Sequence, residues 1–165
     1  MTIKNEIFPN YLPDSNHSIR PPVLVTGGFD PLHSGHIDYF VSAKNEGDLL
    51  LVGINSDEWL ERKKGKYFLD YKERSAVIKA LYMVSDIIDF DDSDDTAINA
   101  IKKTKELYPD DQVVFCNGGD RGVANTPEYN IFINDNDVSF KFNVGGSKTN
   151  SSSKILDRWE NQAKK

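Results

Sequence analysis

Two histidines, three residues apart, carry the strongest chemical signal in the sequence. His33 and His36 lie in the stretch VTGGFDPLHSGHID, which follows a short apolar run and contains the pair Gly27 and Gly28. At the beginning of a helix, this spacing lets both imidazoles face one point above the N-terminus, where free N–H groups and the helix dipole favour a phosphate. The glycines let a ligand approach the backbone closely. The stretch therefore predicts a phosphate-binding loop.

A zinc site is the first alternative for the histidine pair. It needs a third ligand, for which His17 is a poor candidate and Asp30 or Asp120 could serve, but the HExxH pattern is absent. Cys116 is the only cysteine, which excludes a cysteine-based zinc site and an intrachain disulfide, and we expect its thiol to be buried. We therefore expect no metal ion bound by side chains. The second alternative is a helix-capping loop whose histidines are incidental.

Three other polar segments have the composition of a phosphate-binding pocket. A basic loop, RKKGK at 62–66, could supply a mobile ammonium group. The segment NGGDR at 117–121 combines a glycine turn with an arginine that could bind a phosphate through two N–H groups. Three serines at 151–153 precede a predicted helix and offer hydroxyls and N–H groups to an anion. A solvated loop, a tight turn and a helix cap are the ordinary alternatives for these segments.

Short apolar strands alternate with helices along the chain. The predicted strands are 23–26, 49–54, 87–90, 113–116 and 138–144, and the predicted helices are 37–45, 71–81, 96–107 and 153–162. This alternation predicts an α/β fold, namely a Rossmann-like, doubly wound, parallel five-stranded sheet with helices on both faces. Four polar segments follow strands, at 27–36, 55–66, 117–128 and 145–153, and they then meet at the carboxyl ends of the strands. Residues 1–21 are predicted to form an extended N-terminal arm, and residues 22–165 one domain.

The overall composition narrows the classes of partner. The 165 residues carry a net charge of −6, which argues against general binding to nucleic acid or to a membrane surface. The sequence has no apolar run long enough to span a membrane, and it begins without the apolar core of a signal peptide. We therefore expect a cytoplasmic protein that binds an anionic ligand in a local basic pocket.

The histidine stretch resembles a known motif. The pattern G-x-F-D-x-x-H-x-G-H of the H-x-G-H nucleotidyltransferase superfamily is matched by Gly27, Phe29, Asp30, His33, Gly35 and His36. The resemblance extends from Val23 to Leu156 and is to the cytidylyltransferase-like branch, which includes glycerol-3-phosphate cytidylyltransferase and heptose-1-phosphate adenylyltransferase. An arginine of the cytidylyltransferase form aligns near Gly146 here, with Lys148 as a replacement cation. This departure weakens the case for cytidine.

The resemblance implies a role for each site residue. Catalysis is assigned to His33, His36 and Lys64, although Lys63 and Lys66 also fit the lysine position within one or two residues. The implied nucleotide-binding residues are Gly27, Gly28, Phe29, Asp30, Gly35, Arg74, Gly118, Gly119, Asp120, Ser151, Ser152 and Ser153. The implied acceptor-binding residues are Arg121, Asn125 and Lys66.

The reaction that the resemblance implies is nucleotidyl transfer. A phosphate oxygen of the acceptor attacks the α-phosphorus of a nucleoside triphosphate, and pyrophosphate leaves without a protein nucleophile. CTP with a small phospho-alcohol such as glycerol 3-phosphate is the favoured pair, and Mg²⁺ accompanies the triphosphate. The alternatives are ATP with a heptose 1-phosphate, and a non-catalytic, nucleotide-binding regulatory protein. The resemblance also implies a homodimer, and the apolar residues 81–84 are predicted to form either its subunit contact or part of the core of the chain itself.

Overall fold

The structure of the chain is a computed structural model that describes residues 21–119, 121–147, 150–162 and 164. Apart from Pro21, the predicted N-terminal arm lies outside these ranges, and so do Asp120 and Lys148 of the predicted site segments. Within these ranges, no helix combines the length and the apolar character needed to cross a membrane.

Five parallel strands form one sheet. They are β1 (Pro22–Gly27), β2 (Leu49–Ile54), β3 (Asp86–Ile88), β4 (Val113–Gly118) and β5 (Val138–Val144), and their order across the sheet is β3-β2-β1-β4-β5. Each strand is parallel to its neighbours, with Val25 opposite Val52 and Leu24 opposite Phe115. The predicted Rossmann-like, five-stranded α/β sheet is confirmed.

Six helices and one 3₁₀ turn connect the strands in the described part of the chain. They are α1 (Ser34–Lys44), α2 (Asp57–Lys64), α3 (Tyr71–Lys79), α4 (Ile98–Leu107), the turn Val123–Asn125, α5 (Pro127–Phe132) and α6 (Ser152–Gln162). One prediction was wrong, and one helix was not predicted. The basic loop at 62–66 begins as the last turn of α2, and α5 was not predicted. Because α2 buries one residue, Leu60, and α5 has 6 residues, neither helix shows a clear apolar period.

The sheet is covered on both faces, and each face has its own core. On the first, which we call the α1 face, Phe40 of α1 and Ile78 of α3 pack with Val25 and other strand residues. On the second, the α4 face, Ile101 of α4 packs with Leu24. Val25 and its neighbour Leu24 thus point to opposite faces, as the pleat of a strand requires.

The strand order creates a crevice between the carboxyl ends of β1 and β4. From β1 the chain winds through β2 and β3 on one side of the sheet, and it then crosses to β4 and β5 on the other. The segments that follow β1 and β4 therefore diverge at this point. In open α/β sheets such a reversal of strand order is the usual place for a ligand.

Two sequence predictions concern single side chains away from the strand ends. Cys116 is 1% exposed, and burial raises the pKa of its thiol to about 12, so this residue is the buried hydrophobic residue that we expected. In the predicted subunit contact, Met83 is buried and Tyr82 is 88% exposed. The homodimer itself stays a prediction.

Candidate active site

A cavity of about 450 Å³ lies at the carboxyl ends of the strands. It is lined by the segments that follow β1, β2, β4 and β5, which are the four that the sequence predicted to converge. The predicted site residues in the lining are Gly27, Gly28, Phe29, His33, Gly35, His36, Lys64, Gly118, Gly119, Arg121, Ser151, Ser152 and Ser153. The four polar segments therefore form one candidate site.

The histidine pair caps the N-terminus of α1. His33 is the N-cap residue, and its Nδ1 accepts a hydrogen bond from the N–H of Gly35 at 3.1 Å. The Nδ1 of His36 accepts from the N–H of His33 at 3.3 Å, and the two rings stack with their centroids 3.8 Å apart. Because both Nδ1 atoms are acceptors, each neutral ring carries its proton on Nε2. The pair therefore supplies two Nε2–H donors at a helix N-terminus, in the lining of the cavity.

Phe29 and Asp30 shape the loop between β1 and α1, which we call the histidine loop. Phe29 has a left-handed backbone with φ of 49°, and its ring packs edge-on against His36 with the centroids 5.1 Å apart. The buried Asp30 carboxylate accepts hydrogen bonds from the N–H groups of Phe68 at 2.6 Å and Leu69 at 2.8 Å. Asp30 is not in the cavity lining. It joins the histidine loop to the segment between α2 and α3, which corrects its predicted contact with the nucleotide.

Arg74 is buried beside this loop, with 1% of its surface exposed. Its guanidinium donates to the carbonyls of Gly28 and Asn55, both at 2.8 Å, and pairs with the carboxylate of Asp57 at 2.6 Å. Its Nε donates to the carbonyl of Leu69 at 3.0 Å. Since these donors are used within the protein and Arg74 is outside the cavity lining, its predicted contact with the nucleotide is corrected to a positioning role.

Helix α2 carries Lys64 to the cavity. The helix begins after its N-cap Ser56, and the buried Asp92 carboxylate accepts from both the N–H and the hydroxyl of Ser56 at 2.7 Å. It ends at Lys64, and the C-cap Gly65 that follows has a left-handed backbone with a φ of 81°. The Nζ of Lys64 donates to the carbonyl of Asp30, 3.4 Å away. Contacts at both ends of α2 therefore fix the position of Lys64 beside the histidine loop.

The structure separates the three candidate lysines. Lys64 is the lysine that the described residues contribute to the cavity lining. The Nζ of Lys63 lies 3.9 Å from the carboxylate of Asp95, and that of Lys66 pairs with Glu160 at 2.8 Å. Lys64 is therefore the candidate catalytic lysine. Lys66 lies outside the lining and forms an exposed ion pair, and its acceptor-binding role stays a prediction.

The segment after β4 forms one wall of the cavity. The residues that it contributes are Asn117, Gly118, Gly119 and Arg121. Asn125, a predicted acceptor-binding residue, lies outside the lining, and its Oδ1 accepts a hydrogen bond from the N–H of Gly122 at 2.7 Å. This contact makes Asn125 a cap of the 3₁₀ turn. Arg121 is therefore the predicted acceptor-binding residue that the structure places at the cavity.

Tyr39 of α1 packs closely against this wall. Its hydroxyl donates to the carbonyl of Cys116 at 2.6 Å, and burial raises the pKa of Tyr39 above its usual range. A Cβ atom on Gly118 would lie 3.0 Å from the Tyr39 ring, and one on Gly145 would lie 2.9 Å from the Tyr39 Cα. Gly145 therefore requires glycine, since its φ is 84° and its nearest neighbour is backbone, whereas a side chain at Gly118 would require the Tyr39 ring to shift.

The serine segment brings the N-terminus of α6 to the cavity. The Oγ of Ser151 accepts from the N–H of Lys154 at 3.2 Å, a contact that caps the first turn. The Oγ of Ser152 donates to the carbonyl of Pro31 at 2.8 Å, which attaches α6 to the histidine loop. The N-terminus of a helix attracts an anion through its N–H groups. This end of α6 is therefore a second anion-binding element of the cavity.

Sequence analysis missed part of the cavity lining. Tyr39 and Val144 lie outside the segments that were predicted to form the site. The other lining residues lie in those segments but had no individual role, and they are Thr26, Asp38, Trp59, Asn117, Gly145, Gly146, Ser147 and Asn150. Asp38 and Tyr39 follow His36 by two and three residues, so helical spacing could have placed Tyr39 beside the histidines. Trp59 gave no local signal, because its position depends on α2 as a whole. The polar residues at strand ends, Thr26 and Asn117, were detectable from the predicted sheet.

The donor set of the cavity suits a magnesium ion that arrives with a triphosphate. The described ranges contain no group of three or more His, Cys, Asp or Glu side chains arranged to hold a metal. In that part of the chain, Asp38 is the one carboxylate in the cavity lining. Mg²⁺ in phosphoryl-transfer sites takes one or two carboxylates and otherwise binds water and phosphate oxygens. The residues present fit that mode of binding.

Comparison with known proteins identifies relatives of the chain. The sequence model of the family described as cytidylyltransferase-like matches residues 24–142. A protein named Bifunctional protein HldE, from Actinobacillus succinogenes, is 36% identical over 141 residues, which cover 82% of this chain and 28% of that protein. The protein of the same name from Syntrophotalea carbinolica is 35% identical over 147 residues, which cover 84% and 27%. The chain spans little more than a quarter of the length of these relatives.

A solved structure shares both fold and sequence with the chain. It is the lipopolysaccharide core biosynthesis protein from Thermoplasma volcanium GSS1, with a TM-score of 0.57 and 29% identity. The match covers 78% of this chain and 98% of that one. The similarity therefore extends over most of this chain and nearly all of that one.

Proposed function

The chain belongs to the cytidylyltransferase-like family, and from that premise we propose that it transfers a nucleotidyl group from a nucleoside triphosphate to a phosphorylated small molecule. The observation that carries the proposal is the histidine pair at the N-terminus of α1. Its Nδ1 atoms are bound to the backbone N–H groups of Gly35 and His33, and both rings line the cavity. Two fixed N–H donors at a helix N-terminus suit a phosphate on which negative charge increases.

The proposed reaction is a direct displacement at the α-phosphorus. An oxygen of the acceptor phosphate forms the new P–O bond, the bond to the leaving group breaks, and pyrophosphate departs with the electron pair. His33 and His36 donate to the α-phosphate and to the bridging oxygen, and Lys64 neutralises charge on the same phosphate. The N-terminus of α6 holds the β- and γ-phosphates. The protein therefore acts by positioning and by charge stabilisation, without a covalent intermediate.

Magnesium belongs to this proposal as a partner of the triphosphate. When bound, it supplies positive charge to the phosphate oxygens. Asp38 is the side chain in the described lining that would help to hold it.

The acceptor that we propose is a sugar 1-phosphate such as heptose 1-phosphate, with ATP as the nucleotide. Gly146 near the position of the cytidylyltransferase arginine supports this choice. The 29% identity with a lipopolysaccharide core biosynthesis protein also supports it, because such cores are built from sugars. CTP with glycerol 3-phosphate is the second candidate, and the cytidylyltransferase-like family match supports that pair.

Pyrophosphate release by the purified chain tests the reaction and its substrates together. ATP, CTP, GTP and UTP are each combined with heptose 1-phosphate and with glycerol 3-phosphate in the presence of Mg²⁺. We expect release with ATP and heptose 1-phosphate, and none when the acceptor is omitted. Nucleotide binding measured by calorimetry, without release for any pair, would contradict transfer and support a regulatory nucleotide-binding protein.

A further inference from the structure

Thr26 and Asn117 lie near the carboxyl ends of β1 and β4, at the crevice between these strands, and both line the cavity. Leu24 of β1 is opposite Phe115 of β4, and Thr26 and Asn117 follow two residues later in their strands. The strand order of the sheet reverses at this crevice, which is where open α/β sheets bind their ligands. Neither side chain has a role in the transfer reaction proposed above.

Both side chains belong to the α4 face of the sheet. Residues two apart in a strand share a face, and Leu24 and Phe115 are part of the α4-face core. Gly118, the neighbour of Asn117, points to the other face, where it contacts α1. Thr26 and Asn117 are therefore on the opposite side of the crevice from the helix that carries the histidine pair.

Within the described part of the chain, the side-chain amide of Asn117 is a buried donor without a hydrogen-bond partner. The residue is 5% exposed, and its Nδ2 has no hydrogen-bond partner among the described residues. Burial of an amide N–H without a partner is unfavourable, so this group in the cavity wall would be stabilised by a ligand atom that accepts its hydrogen bond. Asn117 and Thr26 are both uncharged, so they suit a hydroxyl oxygen better than a phosphate, for which the cavity holds Lys64 and Arg121.

The direction from which the acceptor oxygen attacks the α-phosphorus decides which substrate lies next to Asn117 and Thr26. The groups that would hold the triphosphate are on the α1 side, because Ser152 binds the carbonyl of Pro31 and Gly145 contacts Tyr39 of α1. In an in-line displacement the attacking oxygen approaches opposite the leaving pyrophosphate. The acceptor therefore enters from the α4 side of the crevice.

We propose that Asn117, with Thr26 beside it, forms a specificity-determining subsite that binds a hydroxyl oxygen of the acceptor. The inference rests on the transfer reaction proposed above, and it narrows the acceptor to a polyhydroxylated phosphate ester or sugar phosphate. Asn117 supplies the N–H donor, and the Thr26 hydroxyl supplies a second hydrogen-bonding group.

Paired acceptors with and without hydroxyls test the subsite. Glycerol 3-phosphate is compared with propyl phosphate, and heptose 1-phosphate with cyclohexyl phosphate, at saturating ATP or CTP. In Asn117→Leu we expect kcat/KM to fall about 10- to 100-fold for the hydroxylated acceptor, and to change less than about threefold for its partner. The Kd of the nucleotide, measured by calorimetry, should stay within about twofold of wild type, because Asn117 contacts the acceptor alone.

Two further variants protect the test against a failure to fold. Asn117→Asp keeps the shape of the side chain and replaces its donor, and Thr26→Val removes the hydroxyl with little change in volume. Both should lose preference for the hydroxylated acceptor, with thermal unfolding as the check on folding. Asn130→Leu, the same substitution at an exposed position of α5 outside the cavity lining, is the matched control and should change none of these constants.

The outcomes separate this inference from the proposed function. If the wild-type chain releases pyrophosphate with no acceptor, nucleotidyl transfer itself fails. If the wild type is active and Asn117→Leu lowers kcat/KM equally for both acceptors of a pair, the subsite does not recognise a hydroxyl. The inference is then overturned while the proposed function stands. A rise in the nucleotide Kd with an unchanged acceptor preference would instead assign Asn117 to the nucleoside, and would also overturn it.

Discussion

At the scale of the residue, His33 performs a structural and a chemical task with different ring nitrogens. Its Nδ1 caps α1 through the N–H of Gly35, while its Nε2–H is assigned to the α-phosphate. The first task depends on a side chain that accepts a hydrogen bond at the N-cap, and the second on a donor at the far side of the ring. A substitution that keeps the N-cap and removes the Nε2–H donor can therefore separate the structural task from the chemical one.

We predict that His33→Asn and His33→Ala differ in stability and agree in activity. Asparagine is a good N-cap, so His33→Asn should keep the thermal unfolding midpoint near that of wild type, whereas His33→Ala should lose about 1 kcal/mol of unfolding free energy. Both variants lose the Nε2–H donor, so kcat should fall about 10²–10³-fold in each. Urea unfolding and steady-state kinetics provide the two measurements. Near-wild-type turnover in His33→Asn would remove the ring from the mechanism.

The residues of the site differ in how far sequence alone could assign them. His33, His36 and Lys64 were predicted from spacing and resemblance, because the chemistry that suits a phosphate is visible in their types and positions. Arg74 and Asp30 were predicted to bind the nucleotide, whereas the structure buries both side chains and pairs them with backbone groups of the protein. Burial of a charged group depends on elements far apart in the chain, so no local pattern distinguishes it from exposure.

At the scale of the element, the end of α2 selects the lysine. Lys64 is its last residue, and Gly65 turns the backbone left-handed directly afterwards, so Lys66 leaves in another direction and pairs with Glu160. The basic composition of 62–66 could not show this, because it offers three lysines without a helix boundary. The boundary depends on Gly65, whose sequence signal was read as part of a loop.

We predict opposite results for two lysines two residues apart. Lys64→Ala should lower kcat about 10²–10³-fold, because it removes charge stabilisation from the α-phosphate. Lys66→Ala should leave kcat within about threefold, since an exposed ion pair contributes little. Steady-state pyrophosphate release measures both, and Lys66→Ala serves as the matched control. The reverse order of effects would place Lys66 at the reacting phosphate.

Arg74 holds three elements in position for the site. Its guanidinium binds the carbonyls that follow β1 and β2 and the first residue of α2, at Gly28, Asn55 and Asp57. A lysine at this position keeps the charge and loses the fixed fork of donors. The residue should therefore act on the reaction through the geometry of the histidine loop.

We predict that Arg74→Lys loses about 3 kcal/mol of unfolding free energy, because it leaves buried acceptors without partners. Arg158→Lys, at an exposed position of α6, is the control and should change stability by less than about 0.5 kcal/mol. Chemical unfolding measures both. Unchanged stability with a large rise in the nucleotide Kd would instead make Arg74 a direct ligand of the nucleotide.

At the scale of the whole molecule, the sheet could be predicted from the sequence. The apolar surface beside α1 and α3, in contrast, needs an experiment. The five strands were found from short apolar runs, which a sheet buried on both faces demands. Beside α1 and α3, the structure leaves apolar side chains in water, with Tyr82 88%, Val77 47% and Val41 37% exposed. Tyr82 belongs to the segment for which the family resemblance implies a subunit contact.

We predict that the chain is a homodimer and that Tyr82→Glu weakens it. A carboxylate at this position would have to be buried without a partner in an apolar contact, which is unfavourable. Light scattering after size exclusion should show a mass twice that of the 18.6 kDa chain for wild type, and a shift toward 18.6 kDa for the variant. Ile131→Glu, at a residue of α5 that is 60% exposed, is the control and should leave the dimer intact. A wild-type monomer, or equal dissociation by both variants, would mean that this surface does not form the contact.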